Sequence, residues 1–355
     1  MVTISLCMIV KNEEHVLERC LDSISHLVDE INIVDTGSND HTVAIAKKYT
    51  DRVFHFEWTD NFSEARNQSF SYATKDYIFY LDADDVIDKM EQEKLFHLKK
   101  HLNPEFDAVS MIYLAGIDEY ENVTLQYRRN RLVKRRKQYQ WFGDCHNYLQ
   151  VRGKIFHSDI AVSHKKNAHA YGRNLHIYEA MICKSRSFTE RDYFYYGNEL
   201  RENGFYQQAI EAYTNGINMK YGWIEEKIFA CIFRADCFYY LNEAELALES
   251  LFQSFRFSKT ARSEACSRIG LLFQKKREFL LAIFWYELAL RVVQPKSSWG
   301  FSYPAYSTWY PHQQLCICYY NLQAFDLAAH HNNKAMEYRP NDELLRFHQT
   351  LLKGK

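Results

Sequence analysis

The chain has 355 residues, enough for about two domains with cores of their own, which excludes a peptide hormone or a disulfide-stapled miniprotein. Apolar residues make up 47% and charged residues 25%, with only 12 Gly and 5 Pro, so the disordered and fibrous classes are excluded as well. Lys plus Arg (44) against Asp plus Glu (45) gives a net charge of -1, so no global field draws the molecule onto nucleic acid or an anionic membrane, and neither is an expected partner.

The first element, ISLCMIV at 4–10, is too short to span a membrane and lacks the basic start of a signal peptide, so it reads as a strand. There follow a helix-like EEHVLERCLDSISHL, a strand EINIVD, a helix HTVAIAKKY, a strand RVFHFEW, a helix FSEARNQSFSYA and the strand opening DYIFYLDADD. Continuous apolar runs bounded by polar turns are strands buried on both faces, and their alternation with helices predicts a parallel α/β sheet. Ligands of such sheets bind beyond the carboxyl ends of the strands. Three strand ends carry the polar chemistry: Lys11-Asn12-Glu13, Asp35-Thr36-Gly37-Ser38 and Asp82-Ala83-Asp84-Asp85. They are expected to converge on one rim.

On extended chain Asp82 and Asp84 point the same way, a carboxylate pair that suits a divalent cation bridging the protein to phosphate oxygens. The alternatives are a solvated Asp-rich turn and the DxDx(T/V) nucleophile of haloacid dehalogenases, which normally opens the first strand rather than about the fourth. Asp35 can accept hydrogen bonds from a ribose or base edge, or simply form a turn. No GxGxxG follows the first strand and no GxxxxGK(S/T) occurs, so dinucleotide and P-loop chemistry drop out. Further strands are expected at 108–114 and 123–132, and a basic run that begins within the second, Arg128, Arg129, Arg131, Lys134, Arg135, Arg136 and Lys137, is divided between two faces by strand alternation.

After a linking helix at about 173–188 the pattern becomes helical and self-similar. Small residues recur twelve apart, Gly197 and Ala209, Ala235 and Ala247, Gly270 and Ala282, Cys316 and Ala328, where paired helices would cross. Tyr213, Leu251 and Tyr286 follow four later, with Asn332 the exception. This predicts about four tetratricopeptide-like hairpins, the fourth displaced by an aromatic insert at 295–311. That insert reads either as an exposed loop gripping a peptide or sugar, or as a packed cover. The nine cysteines form no CxxC pair, as expected of reduced thiols in a cytoplasmic protein.

The segments ISLCMIVKNEEHVLERCLDSI, INIVDTGSNDHTVAIAKKY, DNFSEARNQSFSYATKDYIFYLDADD and HSDIAVSHKKN, in that order, resemble family-2 glycosyltransferases of the GT-A fold. The resemblance implies a transferase domain at 1–170, a linking helix at 171–190 and tetratricopeptide-like repeats at 191–355. It implies that Asp35 contacts the nucleoside, that Arg66 and Asn67 hold the nucleotide side, with Asn12 and Glu13 on the same rim, and that Asp82 and Asp84 hold Mn2+ or Mg2+ on the diphosphate. His164 falls where many such enzymes place a metal-contacting histidine. Relatives with helical repeats carry G-x-x-H-E at the base position, where this chain reads Gly143-Asp144-Cys145-His146-Asn147. Asn147 cannot take a proton, which leaves Asp144, His146, an acidic thiol acceptor, or loss of catalysis. The whole arrangement is similar to bacterial enzymes that glycosylate peptides, including S-glycosyltransferases of bacteriocin precursors, whose repeats supply peptide contacts or a homodimer interface. The implied activity is inverting, metal-dependent transfer from a nucleotide sugar, a UDP-hexose, to a peptide or glycan acceptor, at a cysteine or serine. The alternative is a catalytically silent scaffold acting through its repeats.

Overall fold

The computed structural model describes residues 1–165, 172–258, 260–293 and 299–354; residues 166–167 of HSDIAVSHKKN, residue 171 at the start of the linker and 295–298 of the insert lie outside them. The chain forms two compact units, the first mainly Met1–Gly116 with Gln126–Met181, the second mainly 182–293 with 301–354, and the division falls inside one helix.

The first part of the chain contains β1 (Ile4–Val10), β2 (Glu30–Asp35), β3 (Val53–His55), β4 (Tyr77–Tyr80), β5 (Asp85–Val86), β6 (Ala108–Ile117), β7 (Val123–Lys134), β8 (Trp141–Phe142), β9 (Tyr148–Leu149) and β10 (Ile155–His164). Its helices are α1 (Leu17–Ile24), α2 (Thr42–Ala46), α3 (Phe62–Ser71), α4 (Lys89–His101) and α5 (Arg173–Cys183). Eight strands make one sheet in the order β3-β2-β1-β4-β7-β6-β10-β5, and β8 pairs with β9 apart from it. β1 runs parallel to β2 and β4, and β2 to β3, as the alternating pattern predicts. Beyond β4 the sheet is mixed: β7 is antiparallel to β4, and β5 to β10. The few residues joining β6 to β7 are too short for a parallel crossover, so the chain turns straight back.

Packing explains why the runs are so apolar. Leu6, Met8 and Val10 of β1 are buried against Leu17, Cys20, Leu21 and Ile24, which recur along α1 at spacings of three and four and form its inner stripe. Each such fully buried aliphatic side chain contributes about 1.5–3 kcal/mol relative to exposure.

A half-buried carboxylate ties the start of the sheet together. Glu30 accepts hydrogen bonds from Ser5 Oγ (2.6 Å), Asn32 Nδ2 (3.0 Å), Thr74 N (3.0 Å) and Thr74 Oγ1 (2.6 Å). Burial alone would raise its pKa, but these donors outweigh it and lower the value from 4.5 to about 2. A depressed carboxylate stabilises the fold above its unfolded pKa, and that stability is lost as the pH falls from 4.5 toward 2. Glu30→Gln should therefore lower the melting temperature at pH 7, with the gap to the unaltered protein narrowing as pH drops from 5 toward 2. Thermal unfolding followed by circular dichroism across that range checks this; a gap independent of pH contradicts it.

The second unit is helical: α6 (Glu190–Glu202), α7 (Tyr206–Asn218), α8 (Ile224–Tyr240), α9 (Ala244–Ser254), α10 (Ser263–Lys275), α11 (Phe279–Arg291), α12 (Trp309–Asn321), α13 (Phe325–Met336) and α14 (Glu343–Leu352). The eight helices α6–α13 pair as four consecutive hairpins, the fourth set back by the insert. Their turns share one device: Gly204, Asn242, Arg277 and Gln323 each adopt positive φ, 80°, 63°, 63° and 61°, where the first helix of a hairpin stops. The recurring small residues have a definite purpose. A Cβ on Gly197 would stand 2.6 Å from the Tyr213 ring, and one on Gly270 2.9 Å from Tyr286, so each ring lies flat against the facing helix because no side chain intervenes. Asn332, the exception to that aromatic position, donates instead to the Leu345 carbonyl of α14 (3.0 Å), a helix outside the repeat pattern. Among the described residues no helix is long and apolar enough to cross a membrane.

Candidate active site

The loops after β1 and β2 are laced together before any ligand arrives. Asn12, at φ 55°, donates its N–H to Ser38 Oγ (2.9 Å), and its side-chain oxygen accepts from Asn39 N (2.8 Å). Glu13 N donates to Thr42 Oγ1 (2.7 Å), and Glu14 N to Asp40 Oδ2 (3.1 Å). The β1–β2 register sets Asp35 opposite Val10, where its carboxylate accepts from the N–H groups of Gly37 and Ser38 (both 3.2 Å), with His55 3.9 Å away. Asp35 is thus a turn former and sits at the rim, 7% exposed.

The acidic element differs from the expected extended chain. Asp85 N donates to Asp82 O (3.0 Å), closing residues 82–85 into a turn and pointing their carboxylates different ways. Asp82 turns to Arg66 of α3 (2.5 Å) and Arg129 of β7 (3.6 Å). Asp84 turns to His164, at 3.3 Å, and the β10–β5 register sets His164 beside Asp85, at 3.5 Å. Ligand atoms of Asp84, Asp85 and His164 all lie within 4.8 Å of one another, the one such cluster among the described residues. Asp85 Oδ1 and His164 Nδ1 are buried with no hydrogen-bond partner. Two orphaned polar atoms, one carboxylate oxygen and one imidazole nitrogen, beside the Asp84 carboxylate are a donor set that fits a divalent cation once the imidazole is neutral.

Electrostatics follow from this layout. Burial disfavours charge on Asp82, but Arg66, Arg131 and Arg129 together hold its carboxyl well below the usual range. Burial also opposes a charge on His164, yet Asp84 and Asp85 outweigh it and raise the imidazole from 6.5 to about 9. A cation binding there would displace that proton. Glu13 is pushed up to about 7 by burial and then by the negative charge of Asp84, against the opposing pull of Arg173. Behind the turn, Arg131 and Asp85 form an ion pair at 2.9 Å with neither side chain exposed, and the Arg131 guanidinium lies 4.9 Å from the Tyr80 ring and 4.6 Å from the Tyr113 ring.

The basic run divides as strand alternation predicts. Arg129 and Arg131 face the acids, whereas Arg128 points the other way and donates to the Ser158 carbonyl (2.8 Å). Lys134 lies at the far end of β7, 3.6 Å from Asp107.

Asn67 is turned from the rim: its amide donates to Trp141 O (3.1 Å) and accepts from Trp141 N (2.8 Å), clamping β8. Arg66, one residue earlier, lies 4.8 Å over the Trp141 ring. The loop 143–147 docks on the start of α3: Phe62 N donates to Asp144 O (2.8 Å), Asn61 Nδ2 to Asp144 Oδ1 (3.0 Å), and Ser63 Oγ to Gly143 O (2.5 Å). His146, at φ 37°, stacks 6.3 Å from Tyr178 of α5, while Asn147 Nδ2 is buried without a hydrogen bond. One helix thus carries both the arginine that holds Asp82 and the platform of the loop bearing Asp144, His146 and Asn147.

Residues 5–160, the part that forms this sheet and rim, match the model of glycosyl transferase family 2. An uncharacterized glycosyltransferase of Rickettsia felis is 32% identical over 193 residues, 52% of this chain and 67% of that protein. The chain belongs to glycosyl transferase family 2. Two further relatives of the chain are the SPbeta prophage-derived glycosyltransferase SunS of Bacillus subtilis, 28% identical over 61% of this chain, and a TPR repeat-containing protein of Synechococcus elongatus, 49% identical over 24%. The chain spans 53% of the length of SunS and 22% of the Synechococcus protein.

Sequence reasoning named Asp85 only as part of the acidic rim and Arg129 and Arg131 only as members of the basic run, without a role for any of them, and it missed Arg173. Asp85 reads as the spare acid of a turn, and only the pairing of β5 with β10, strands far apart in the chain, brings it to His164. The available signal for Arg129 and Arg131 was their i, i+2 spacing.

Proposed function

We propose that the protein is an inverting glycosyltransferase that uses Mn2+ or Mg2+ to move a hexose from a UDP sugar to a peptide or glycan acceptor, with a cysteine or serine of a bacteriocin-like peptide as the favoured target. The observation that carries this reading is the cluster of Asp84, Asp85 and His164, with its orphaned polar atoms, beside the arginine-bound Asp82. Two carboxylates with one imidazole suit Mn2+ better than Mg2+. When bound, the cation stabilises the negative charge that builds on the departing diphosphate. Asp82 keeps Arg66 and Arg129 in place, so that two guanidiniums stand ready for phosphate oxygens. Asp35, Asn12 and Glu13 line the nucleotide side. Asp144 and His146 are the proton acceptors of their loop. A cysteine acceptor suits a site with Asn147, because a thiol ionises near pH 8.5 (about) and needs less help than a hydroxyl. A cytoplasmic location accords with nine cysteines that form no disulfide.

The test is UDP release from a panel of UDP-hexoses with cysteine- and serine-containing peptides, in Mn2+ and in EDTA. The expected result is release at least about tenfold faster in Mn2+, with cysteine peptides preferred. Release unaffected by EDTA, or none from any UDP-hexose, contradicts the reading.

A further inference from the structure

The fourth hairpin carries a pair of facing histidines. His312 lies in the first turn of α12 and His331 midway along α13, and the return of α13 along α12 brings their Nδ1 atoms to 2.8 Å, with ring centroids 5.1 Å apart. Both rings are half-buried. Burial, then the positive charges of His330 and Lys334, lowers the pKa of His312 against the pull of Glu337. Burial, then His312 and His330, lowers His331 from 6.5 to about 4. At pH 7 both imidazoles are therefore neutral, each with one N–H and one lone pair, and across the 2.8 Å gap one Nδ1–H donates to the other Nδ1.

The rings are also held in place. His331 stacks on Tyr319 of α12 (5.5 Å, 5°), and the Tyr319 hydroxyl donates to Glu287 Oε1 of α11 (3.2 Å). Glu287 is fixed in turn by Arg291, at 2.9 Å. Three helices thus orient two ring nitrogens toward one point.

That arrangement is a donor pair for a transition metal. Zinc binds imidazole nitrogen at about 2.0–2.1 Å, which places two nitrogens of a tetrahedral site about 3.3 Å apart, so the pair has to open by only about 0.5 Å. No proton has to leave the protein. The shared hydrogen moves from Nδ1 to Nε2 of its own ring, a change of tautomer that frees both Nδ1 lone pairs for the ion. Neutral imidazoles suit Zn2+, Ni2+ and Cu2+, whereas Mg2+ and Ca2+ take oxygen ligands. Water fills the remaining positions, with the Glu337 carboxylate near enough for its charge to act on His312.

We propose that His312 and His331 form a binding site for a divalent transition-metal ion of the zinc type, with both Nδ1 atoms as ligands and Tyr319 as the group that orients His331. A bound ion ties α12 to α13. The site differs in chemistry from the carboxylate-rich cluster at the rim, and it stands whether or not the first unit transfers sugar.

The test is calorimetric titration of the full chain with Zn2+. Asp84→Ala serves as the background, to weaken binding at the rim, and His312→Gln and His331→Gln are added to it singly. The expected result is a saturable zinc event in the background protein that Mg2+ does not give and that each glutamine substitution abolishes. Tyr319→Leu, which keeps both ligands but loses the stacked ring, should weaken the event about tenfold, and His330→Gln, which removes an exposed neighbour, should leave it unchanged. No zinc event, or one of equal strength in folded proteins carrying either glutamine, overturns the proposal. If both glutamine proteins lose their helical circular dichroism, anomalous diffraction from zinc-soaked crystals of the unaltered protein decides. A peak between the two Nδ1 atoms supports the site; zinc at the rim or elsewhere with none at the pair overturns it.

Discussion

Asp84→Ala is expected to lower cation-dependent UDP release by about 10³-fold or more while the protein stays folded. Asp84 projects from the 82–85 turn at the rim, 17% exposed, with His164 3.3 Å away and no ion pair to a lysine or arginine among the described residues. Its removal thus strands no lysine or arginine, His164 keeps Asp85 at 3.5 Å, and the turn keeps its backbone bonds, Asp85 N to Asp82 O and Lys165 N to Asp84 O. On the proposed reading, what is lost is one of three groups that would hold an ion able to supply several kcal/mol to a departing diphosphate, and each 1.36 kcal/mol is a factor of ten in rate. UDP release and Mn2+ affinity measured on the same preparation test this. Loss of both with an unchanged melting temperature supports the assignment; full activity, or activity lost only through unfolding, removes Asp84 from the site.

The second large effect concerns stability. Arg131→Leu should cost about 3–5 kcal/mol, because it takes from the fully buried Asp85 carboxylate its arginine partner and leaves it only the Asp82 N–H and His164. That is a large part of a typical total of about 5–15 kcal/mol, so the variant should melt far below the unaltered protein. The cost arises from the stranded charge and from the lost packing between Tyr80 and Tyr113. Replacing both partners, Arg131→Leu with Asp85→Leu, removes the charge and should recover much of the loss, although that protein lacks a member of the candidate cation cluster. Denaturant unfolding of the single and double variants separates the two contributions. A double variant no more stable than Arg131→Leu would mean that packing, not the stranded carboxylate, dominates.

The sheet was legible where burial is written locally. β1, β2 and β4 are continuous apolar runs because both of their faces are covered, and their polar ends mark the rim directly. The hairpin repeats were legible through Gly197 and Gly270, since a close helix crossing leaves its trace in residue size. What sequence could not give depends on contacts between distant segments. The turn that parts Asp82 from Asp84 is set by the bond between Asp85 N and Asp82 O and by the pull of Arg66 on one acid and His164 on the other. Asn67 looks like a rim residue beside Arg66, but one step along a helix rotates a side chain by about 100°, and it faces Trp141 instead. β8 and β9 are too short to leave a periodic signal, and α14 lies outside the repeat that revealed its neighbours.

A cation-assisted nucleotide-sugar site at the rim can be probed by titrating the purified protein with UDP in Mn2+ and in EDTA, by calorimetry and thermal unfolding. A site of the kind described predicts saturable binding in Mn2+, with stabilisation of about 2.7 kcal/mol at a hundredfold excess over the dissociation constant, and its loss in EDTA. No binding of UDP in Mn2+, or binding of equal strength in EDTA, would contradict it.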